Sequence, residues 1–178
     1  GAHENLIQVL GKIKDHPEEK SGLIMELISP MYINLGNPPN METCTRDVFD
    51  EGCVFDGEEL LKIAKSIASV CVQLHSKGIN HGDLYAHNIL VNNKAECILG
   101  DFGAASFYDV TSTLAPFIER VEVRAYGCLV EDILSLVHEK EIDTQLRNKW
   151  KKLITNCSVS DVGKRLSFVD VLEEIKTF

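Results

Sequence analysis

Three polar side chains at fixed intervals constrain this sequence more than any other feature. Asp83 lies in residues 81–90, which read HGDLYAHNIL, and Asn88 follows it by five positions. Asp101 follows Asp83 by eighteen positions, and residues 100–103 read GDFG. Carboxylate and carboxamide oxygens suit hard cations, and a carboxylate can also accept a hydrogen bond from a hydroxyl group. This set can therefore hold a metal and a hydroxyl.

The sequence between these residues predicts a small hairpin. Residues 89–91 and 97–99 are short apolar runs, and residues 92–94 between them read Asn-Asn-Lys, a turn-forming cluster. Residues that flank the paired strands of a hairpin lie side by side. We therefore expect Asn88 and Asp101 to meet at one edge of the molecule.

Composition narrows the class of protein. With 178 residues, 44% hydrophobic and 25% charged, the chain predicts one soluble globular domain with a real core. A net charge of −9 argues against a nucleic-acid partner, which requires a concentration of Lys and Arg. The six cysteines form no C-x-x-C pair, and no apolar run reaches the roughly 18 residues of a membrane span. We expect reduced thiols and a cytoplasmic protein.

The N-terminal part of the chain predicts two strands and a long connection. Residues 5–10 form one strand that ends at Gly11, and residues 22–28 form a second, paired with the first. Residues 29–55 carry three prolines and several Asn and Gly residues, so we expect an irregular connection with at most one short helix.

The remaining sequence predicts helices. Asp56 is a suitable N-cap for a helix that ends near Gly78. Residues 104–118 are predicted to form a loop, and residues 122–137 a helix that is buried on most sides. Further helices are predicted near residues 143–155 and 167–177.

The ordered motifs resemble those of the eukaryotic-type protein kinase family. His81-Gly82-Asp83-Leu84 through Asn88 is similar to the catalytic loop H-R-D-L-x-x-x-N, and Asp101-Phe102-Gly103 is similar to D-F-G. Residues 3–7, 24–28, 122–127 and 165–168 are similar to further segments of the same family, in the same order. The resemblance implies an α+β, protein-kinase-like fold with a mostly helical C-lobe and short β-hairpins.

The resemblance assigns roles at the motif residues. Asp83 is implied to be the catalytic base, which orients the acceptor hydroxyl, and Asn88 and Asp101 are implied to bind Mg²⁺. The residue pair His81 and Phe102 is expected to lie in an apolar stack behind the site.

The resemblance also implies a binding site for ATP at the hinge. There the carbonyl of Glu26 and the amide of Ile28 would face the adenine base, Met25 would close the pocket behind it, and Leu90 would lie under the ring.

Some parts of the family pattern are missing or changed. The 178 residues contain no Gly-rich phosphate loop and no V-A-I-K lysine, so we expect an N-terminally truncated chain whose missing N-lobe lies upstream in a longer protein. On this interpretation, residues 1–28 are residual N-lobe strands and hinge, and residues 29–178 are the C-lobe. Gly82 stands in place of the usual Arg, and Tyr85 in place of a Lys that steadies the transferring phosphate.

The segment after D-F-G is short. Twenty-one positions separate Asp101 from Glu122, and residues 115–117 read Ala-Pro-Phe where the family has A-P-E. The Glu of A-P-E normally pairs with an Arg, here Arg165, so we expect Glu119 to substitute for it.

Three functions are compatible with these features. The first is a phosphotransferase that moves the γ-phosphate of ATP, with Mg²⁺, to a Ser, Thr or Tyr hydroxyl of a protein substrate. The second is a pseudokinase that serves as an interaction module, and the third is a small-molecule kinase of the aminoglycoside or choline type, which also uses H-G-D-L.

Overall fold

The first two strands form an exposed hairpin. In the computed structural model of the protein, which describes residues 3–178, β1 (Val9–Ile13) pairs antiparallel with β2 (Gly22–Met25). The prediction of a strand over residues 5–10 was therefore wrong in its bounds. The physical reason is that residues 5–7 form backbone hydrogen bonds with Leu99 and not with the second strand. The Leu99 amide donates to the Asn5 carbonyl, and the Ile7 amide donates to the Leu99 carbonyl.

The long connection contributes one short strand. Residues 29–55 are all described and contain no helix, so the short helix allowed there is not formed. Instead, β3 (Ile33–Asn34) forms the edge of a three-stranded sheet. A further antiparallel bridge between Asn37 and Val48 closes a loop within the connection.

The first helix, α1 (Gly57–Ser76), follows the sequence prediction at both ends. The Asp56 side chain accepts from the Glu59 amide, and the Glu59 side chain accepts from the Asp56 amide, which is a capping box. Gly78 follows the helix with a φ of +67°, a left-handed conformation that favours glycine. The inner face of α1 is fully buried, and each such aliphatic side chain stabilises the fold by about 1.5–3 kcal/mol. Those side chains are Leu60, Ile63, Ile67 and Val70.

Two more small sheets surround the motifs. After α1 the chain forms β4 (Ile79–Asn80), then β5 (Ile89–Val91) and β6 (Cys97–Leu99), which pair antiparallel as predicted. The strand β5 also pairs with β3, and β4 pairs with the later strand β7 (Ser106–Phe107). The segment between β4 and β5 holds residues 81–88.

The helix α2 (Ala115–Ser135) begins seven residues earlier than predicted. Pro116 lies in its first turn, where the missing amide hydrogen is not needed, so this proline begins the helix instead of excluding it. The periodic pattern was hidden because Phe117 and Val121 in these first turns are exposed. From Glu122 onward the helix is buried as expected, and the Tyr126 hydroxyl donates to the Ala64 carbonyl of α1.

The last two helices complete the core around α2. They are α3 (Thr144–Cys157), capped by Asp143, and α4 (Phe168–Ile175), capped by Ser167, both close to their predicted bounds. The core contains Trp150 of α3 and Phe168 of α4. No helix among residues 3–178 combines the length and the apolar character needed to cross a membrane.

Candidate active site

Asn88 and Asp83 are joined directly. Asn88 closes a short 3₁₀ turn (Ala86–Asn88), and its side-chain Nδ2 donates to both the carbonyl oxygen and the Oδ2 of Asp83, each at 2.9 Å. Asn88 is buried, whereas Asp83 is half-buried. Since both amide hydrogens of Asn88 face Asp83, its Oδ1 is left to accept a ligand.

Asp101 lies at the same edge as Asn88. The strand pairing sets Ile89 opposite Leu99, and the Gly100 amide donates to the Asn88 carbonyl at 3.0 Å. Asp101 has a φ of +48°, and its Oδ1 accepts from the Gly103 amide at 3.1 Å, which stabilises this uncommon left-handed backbone. The predicted meeting of Asn88 and Asp101 at the hairpin's edge is confirmed.

The donor set fits Mg²⁺ bound together with phosphates. Asn88 Oδ1 and the exposed Asp101 carboxylate are hard oxygen ligands. Within residues 3–178 no group of three His, Cys, Asp or Glu side chains could hold a metal on its own. Two protein ligands suffice for a Mg²⁺ that takes its other ligands from water and substrate phosphates. The site therefore fits a metal that arrives with a nucleotide.

A buried carboxylate holds the start of the loop. Glu122, only 4% exposed, accepts from the Gly82 amide at 2.7 Å and from the His81 amide at 3.1 Å. Its Oε2 also lies 2.7 Å from Nε2 of His75, which is 6% exposed. Burial alone would raise the pKa of the Glu122 carboxyl, but the hydrogen bonds from His75, Gly82 and His81 outweigh it and lower the pKa. Glu122 is thus an anion that fixes the backbone immediately before Asp83.

A second buried carboxylate, Asp47, holds the end of the loop and was missed by the sequence analysis. Asp47 accepts from the Ala86 amide and lies 2.7 Å from Nδ1 of His87. It belongs to the irregular connection, where the bridge between Asn37 and Val48 places it. Residues 29–55 contain two aspartates, Asp47 and Asp50, and no sequence pattern distinguishes Asp47. Only the fold brings it to the loop.

The aromatic pair behind the site is confirmed. The ring of His81 meets that of Phe102 edge to face, with centroids 4.8 Å apart, and its Nε2 lies 2.8 Å from the Gly100 carbonyl. These contacts join the loop to the segment that carries Asp101, and His81 itself is fully buried.

Of the four residues predicted to bind adenine, Met25 and Leu90 lie on two different sheets, and Glu26 and Ile28 follow the end of β2. Met25 ends β2 and is 48% exposed, and the Glu26 amide donates to the Gln8 carbonyl, which extends the same hairpin. Leu90 is half-buried in β5 of the three-stranded sheet. The roles of Met25, Glu26, Ile28 and Leu90 stay predictions.

The two changed loop residues have a clear structural context. Gly82 has a φ of +79°, and a Cβ at this position would lie 2.6 Å from the Ala104 carbonyl oxygen. Tyr85 stacks on His87, with ring centroids 5.3 Å apart and the rings tilted by 28°. Burial, with the Asp83 carboxylate nearby, raises the pKa of Tyr85.

The predicted ion pair between Arg165 and Glu119 was wrong. Among residues 3–178, no carboxylate forms an ion pair with Arg165, which instead donates to the carbonyls of Val159 (2.7 Å) and Arg120 (3.0 Å). Glu119 accepts from the Phe168 amide at 2.8 Å. The reason is the early start of α2, which places Glu119 against the first turn of α4.

Comparison with known proteins agrees with this geometry. A family model described as protein kinase domain matches residues 2–126, well over half of the chain. The chain belongs to the protein kinase family. The match includes both motifs and ends within α2, and the fold continues through α3 and α4 to residue 178.

Similar proteins are found in several organisms, and the names of two of them describe serine/threonine-protein kinases. A probable serine/threonine-protein kinase of Dictyostelium discoideum is 30% identical over 145 residues, which is 75% of this chain and 20% of that protein. A probable leucine-rich-repeat receptor-like serine/threonine-protein kinase of Arabidopsis thaliana is 26% identical over 98% of this chain and 32% of its own length. Fibroblast growth factor receptor 1 of Pleurodeles waltl is 31% identical over 59% of this chain and 13% of its own. The chain thus spans a third or less of these relatives.

Proposed function

We propose that this kinase-family chain provides the catalytic loop of a phosphotransferase that moves the γ-phosphate of ATP to a Ser, Thr or Tyr hydroxyl of a protein substrate. The proposal rests mainly on the direct hydrogen bonds between Asn88 and Asp83, with Asp101 held beside them through the bond from Gly100 to Asn88. The kinase names of the relatives support a protein acceptor over a small molecule.

Each polar residue has a distinct part in the proposed mechanism. Asp83 Oδ1 accepts the hydrogen bond of the acceptor hydroxyl and then its proton, while Oδ2 stays bound to Asn88. Asn88 Oδ1 and Asp101 would hold Mg²⁺. When bound, magnesium-ATP supplies the phosphoryl group and the positive charge that neutralises its oxygens.

The nucleotide base would bind at the N-terminal hairpin. We assign the carbonyl of Glu26 and the amide of Ile28 to the base, with Met25 closing the pocket behind it and Leu90 under the ring, as the family resemblance implies. The same proposal divides the chain into residual N-lobe strands and hinge, residues 1–28, and a kinase C-lobe, residues 29–178. We also propose a cytoplasmic location, where ATP and protein substrates are available.

Nucleotide binding is tested by thermal unfolding with and without magnesium-ATP. At ten times its dissociation constant, a ligand of the native state adds about 1.4 kcal/mol, which raises the midpoint by about 3–6 °C for a domain of this size. Asp101→Asn should lose this shift, and the control Asp15→Asn, at an exposed position, should keep it. A wild-type chain whose midpoint does not move at millimolar magnesium-ATP would favour the pseudokinase interpretation.

Catalysis is tested by phosphate transfer to a mixed protein acceptor such as casein. Asp83→Asn keeps the shape of the side chain but removes the base, so turnover should be lost while the unfolding midpoint changes little. Retained turnover would refute the assignment of Asp83.

A further inference from the structure

The segment that follows Phe102 and Gly103 is fixed against α1 by one tyrosine. Strand β7 pairs with β4, and the Tyr108 amide donates to the Gly78 carbonyl at 2.8 Å. This places the Tyr108 hydroxyl 2.8 Å from Nδ1 of His75 and 3.3 Å from its carbonyl oxygen. Tyr108 therefore contacts the last turn of α1 through its side chain, and Gly78, which follows that helix, through its backbone.

The contact continues to the catalytic loop. His75 Nε2 lies 2.7 Å from Glu122 Oε2, and Glu122 accepts from the amides of His81 and Gly82. A chain of hydrogen bonds thus runs from Tyr108 through His75 and Glu122 to the two residues before Asp83. His75 and Glu122 are nearly inaccessible to water, so a partner lost within the chain is not replaced by solvent.

The chemistry of the groups fixes the direction of these hydrogen bonds. An ionised Glu122 can only accept, so Nε2 of His75 must carry the hydrogen between them. In the singly protonated ring, Nδ1 of His75 accepts a hydrogen bond from the Tyr108 hydroxyl. In the doubly protonated ring, Nδ1 donates to the hydroxyl, and the hydroxyl donates to the His75 carbonyl. In both cases the hydroxyl is the partner of Nδ1, and it fixes the rotation of the ring.

Among residues 3–178, the ring nitrogens of His75 have no hydrogen-bond partner other than Tyr108 and Glu122. Phe168 of α4 stacks on its face, with centroids 5.2 Å apart and the planes inclined by 20°. The charged groups near Tyr108 are the carboxylates of Glu119 and Glu122, both on α2. Burial, together with these carboxylates, raises the pKa of Tyr108, so the hydroxyl keeps the proton that this geometry uses.

We infer that Tyr108 is a positioning residue, which holds the catalytic loop through His75 and Glu122 and so couples the segment after Gly103 to Asp83. Its expected effect on turnover rests on the proposed function, but its effect on the loop does not. When this segment moves away from α1, Nδ1 of His75 loses its partner. The His75 ring is then free to rotate, and Glu122, which holds the loop, loses a hydrogen-bond donor of fixed orientation.

The first test needs no catalytic activity. Amide hydrogen exchange at His81 and Gly82 is compared between wild type, Tyr108→Phe and Tyr32→Phe. Tyr32 is the matched control, because its hydroxyl has no hydrogen-bond partner among residues 3–178. We expect exchange at both amides to rise about tenfold in Tyr108→Phe only, as for a local opening made easier by one lost hydrogen bond. Exchange equal to that of the control would overturn the inference.

The second test asks whether the two side chains act in one chain of bonds. His75→Gln can still donate to Glu122 but has no equivalent of Nδ1. In this background, Tyr108→Phe should accelerate exchange no further, as coupled residues require. Additive effects of the two substitutions would show independent roles and overturn the inference.

Turnover gives a third measurement, which separates this inference from the proposed function. In an active chain, Tyr108→Phe should lower kcat about tenfold with the KM for ATP unchanged, because the loop rather than the nucleotide site is disturbed. A raised KM with unchanged kcat would contradict a role at the loop. A chain without turnover in every form would refute the proposed function alone, and the exchange result would still decide the role of Tyr108.

Discussion

Replacing Glu122 with glutamine should weaken the fold more than any other single change of a carboxylate to an amide in this chain. The glutamine side chain would present one oxygen and one NH₂ group to three hydrogens, those of His75 Nε2 and of the amides of His81 and Gly82. At least one donor would then face another donor inside the core. Leaving a buried donor unsatisfied, together with the loss of hydrogen bonds to a charged acceptor, costs about 3 kcal/mol.

The predicted loss is measurable by thermal or urea unfolding at pH 7. For a domain of this length, about 3 kcal/mol lowers the melting midpoint by about 6–12 °C. Glu131→Gln is the matched control on the same helix. Its side chain is 53% exposed and pairs with Arg46 at the surface, so the loss there should stay below about 1 kcal/mol.

The pH dependence gives a second criterion for Glu122. Its pKa is lowered on folding from an ordinary value of 4.5, so the carboxylate contributes stability above that value and loses it as the pH falls through the lower, folded pKa. The difference in unfolding free energy between wild type and Glu122→Gln should therefore shrink as the pH falls below about 4.5. A difference that is small at pH 7, or constant down to about pH 3, would refute the account of Glu122 as an essential buried anion.

Three further predictions concern other parts of the chain. Asp47→Asn should lower the free energy of unfolding by about 1–3 kcal/mol in urea titrations, because the buried Ala86 amide and the partly buried Nδ1 of His87 lose a charged acceptor. Gly82→Ala should destabilise the protein in the same assay, because its Cβ would lie 2.6 Å from the Ala104 carbonyl oxygen; Gly11→Ala, where nothing lies within 4 Å, should change stability by less than about 1 kcal/mol. Asp56→Ala should cost about 1 kcal/mol through loss of the helix cap, seen as a lower thermal midpoint, and an unchanged midpoint would contradict the capping box.

Local signals allowed the prediction of the helices and of the hairpin next to the site. The start of α1 followed from Asp56, and that of α4 from Ser167, because a cap is formed by neighbours in the sequence. The meeting of Asn88 and Asp101 followed from the short turn between their strands. These features depend on contacts over a few residues, which a pattern can encode.

The features that the sequence analysis missed depend on contacts across long separations. Asp47 reaches Ala86 over 39 positions, and no periodicity marks either residue. The early start of α2 was missed because Phe117 in its first turns is exposed, so burial leaves no helical pattern there. The predicted ion pair between Glu119 and Arg165 was therefore wrong, because it assumed a loop at Glu119, where the chain is already helical.

The loop's departure from the family motif at position 82 is explained by its packing. Glu122 Oε1 receives the Gly82 amide at 2.7 Å, and this geometry accompanies a φ of +79° that an arginine would adopt only with strain. Because a side chain at position 82 would meet the Ala104 carbonyl, restoring the family's Arg would press on the segment after Asp101. In this chain, close packing at Gly82 and the hydrogen bonds of Tyr108 join the loop of residues 81–88 to that segment. The coupling between them is therefore steric and hydrogen-bonded, without the positive charge that the family's Arg would provide at position 82.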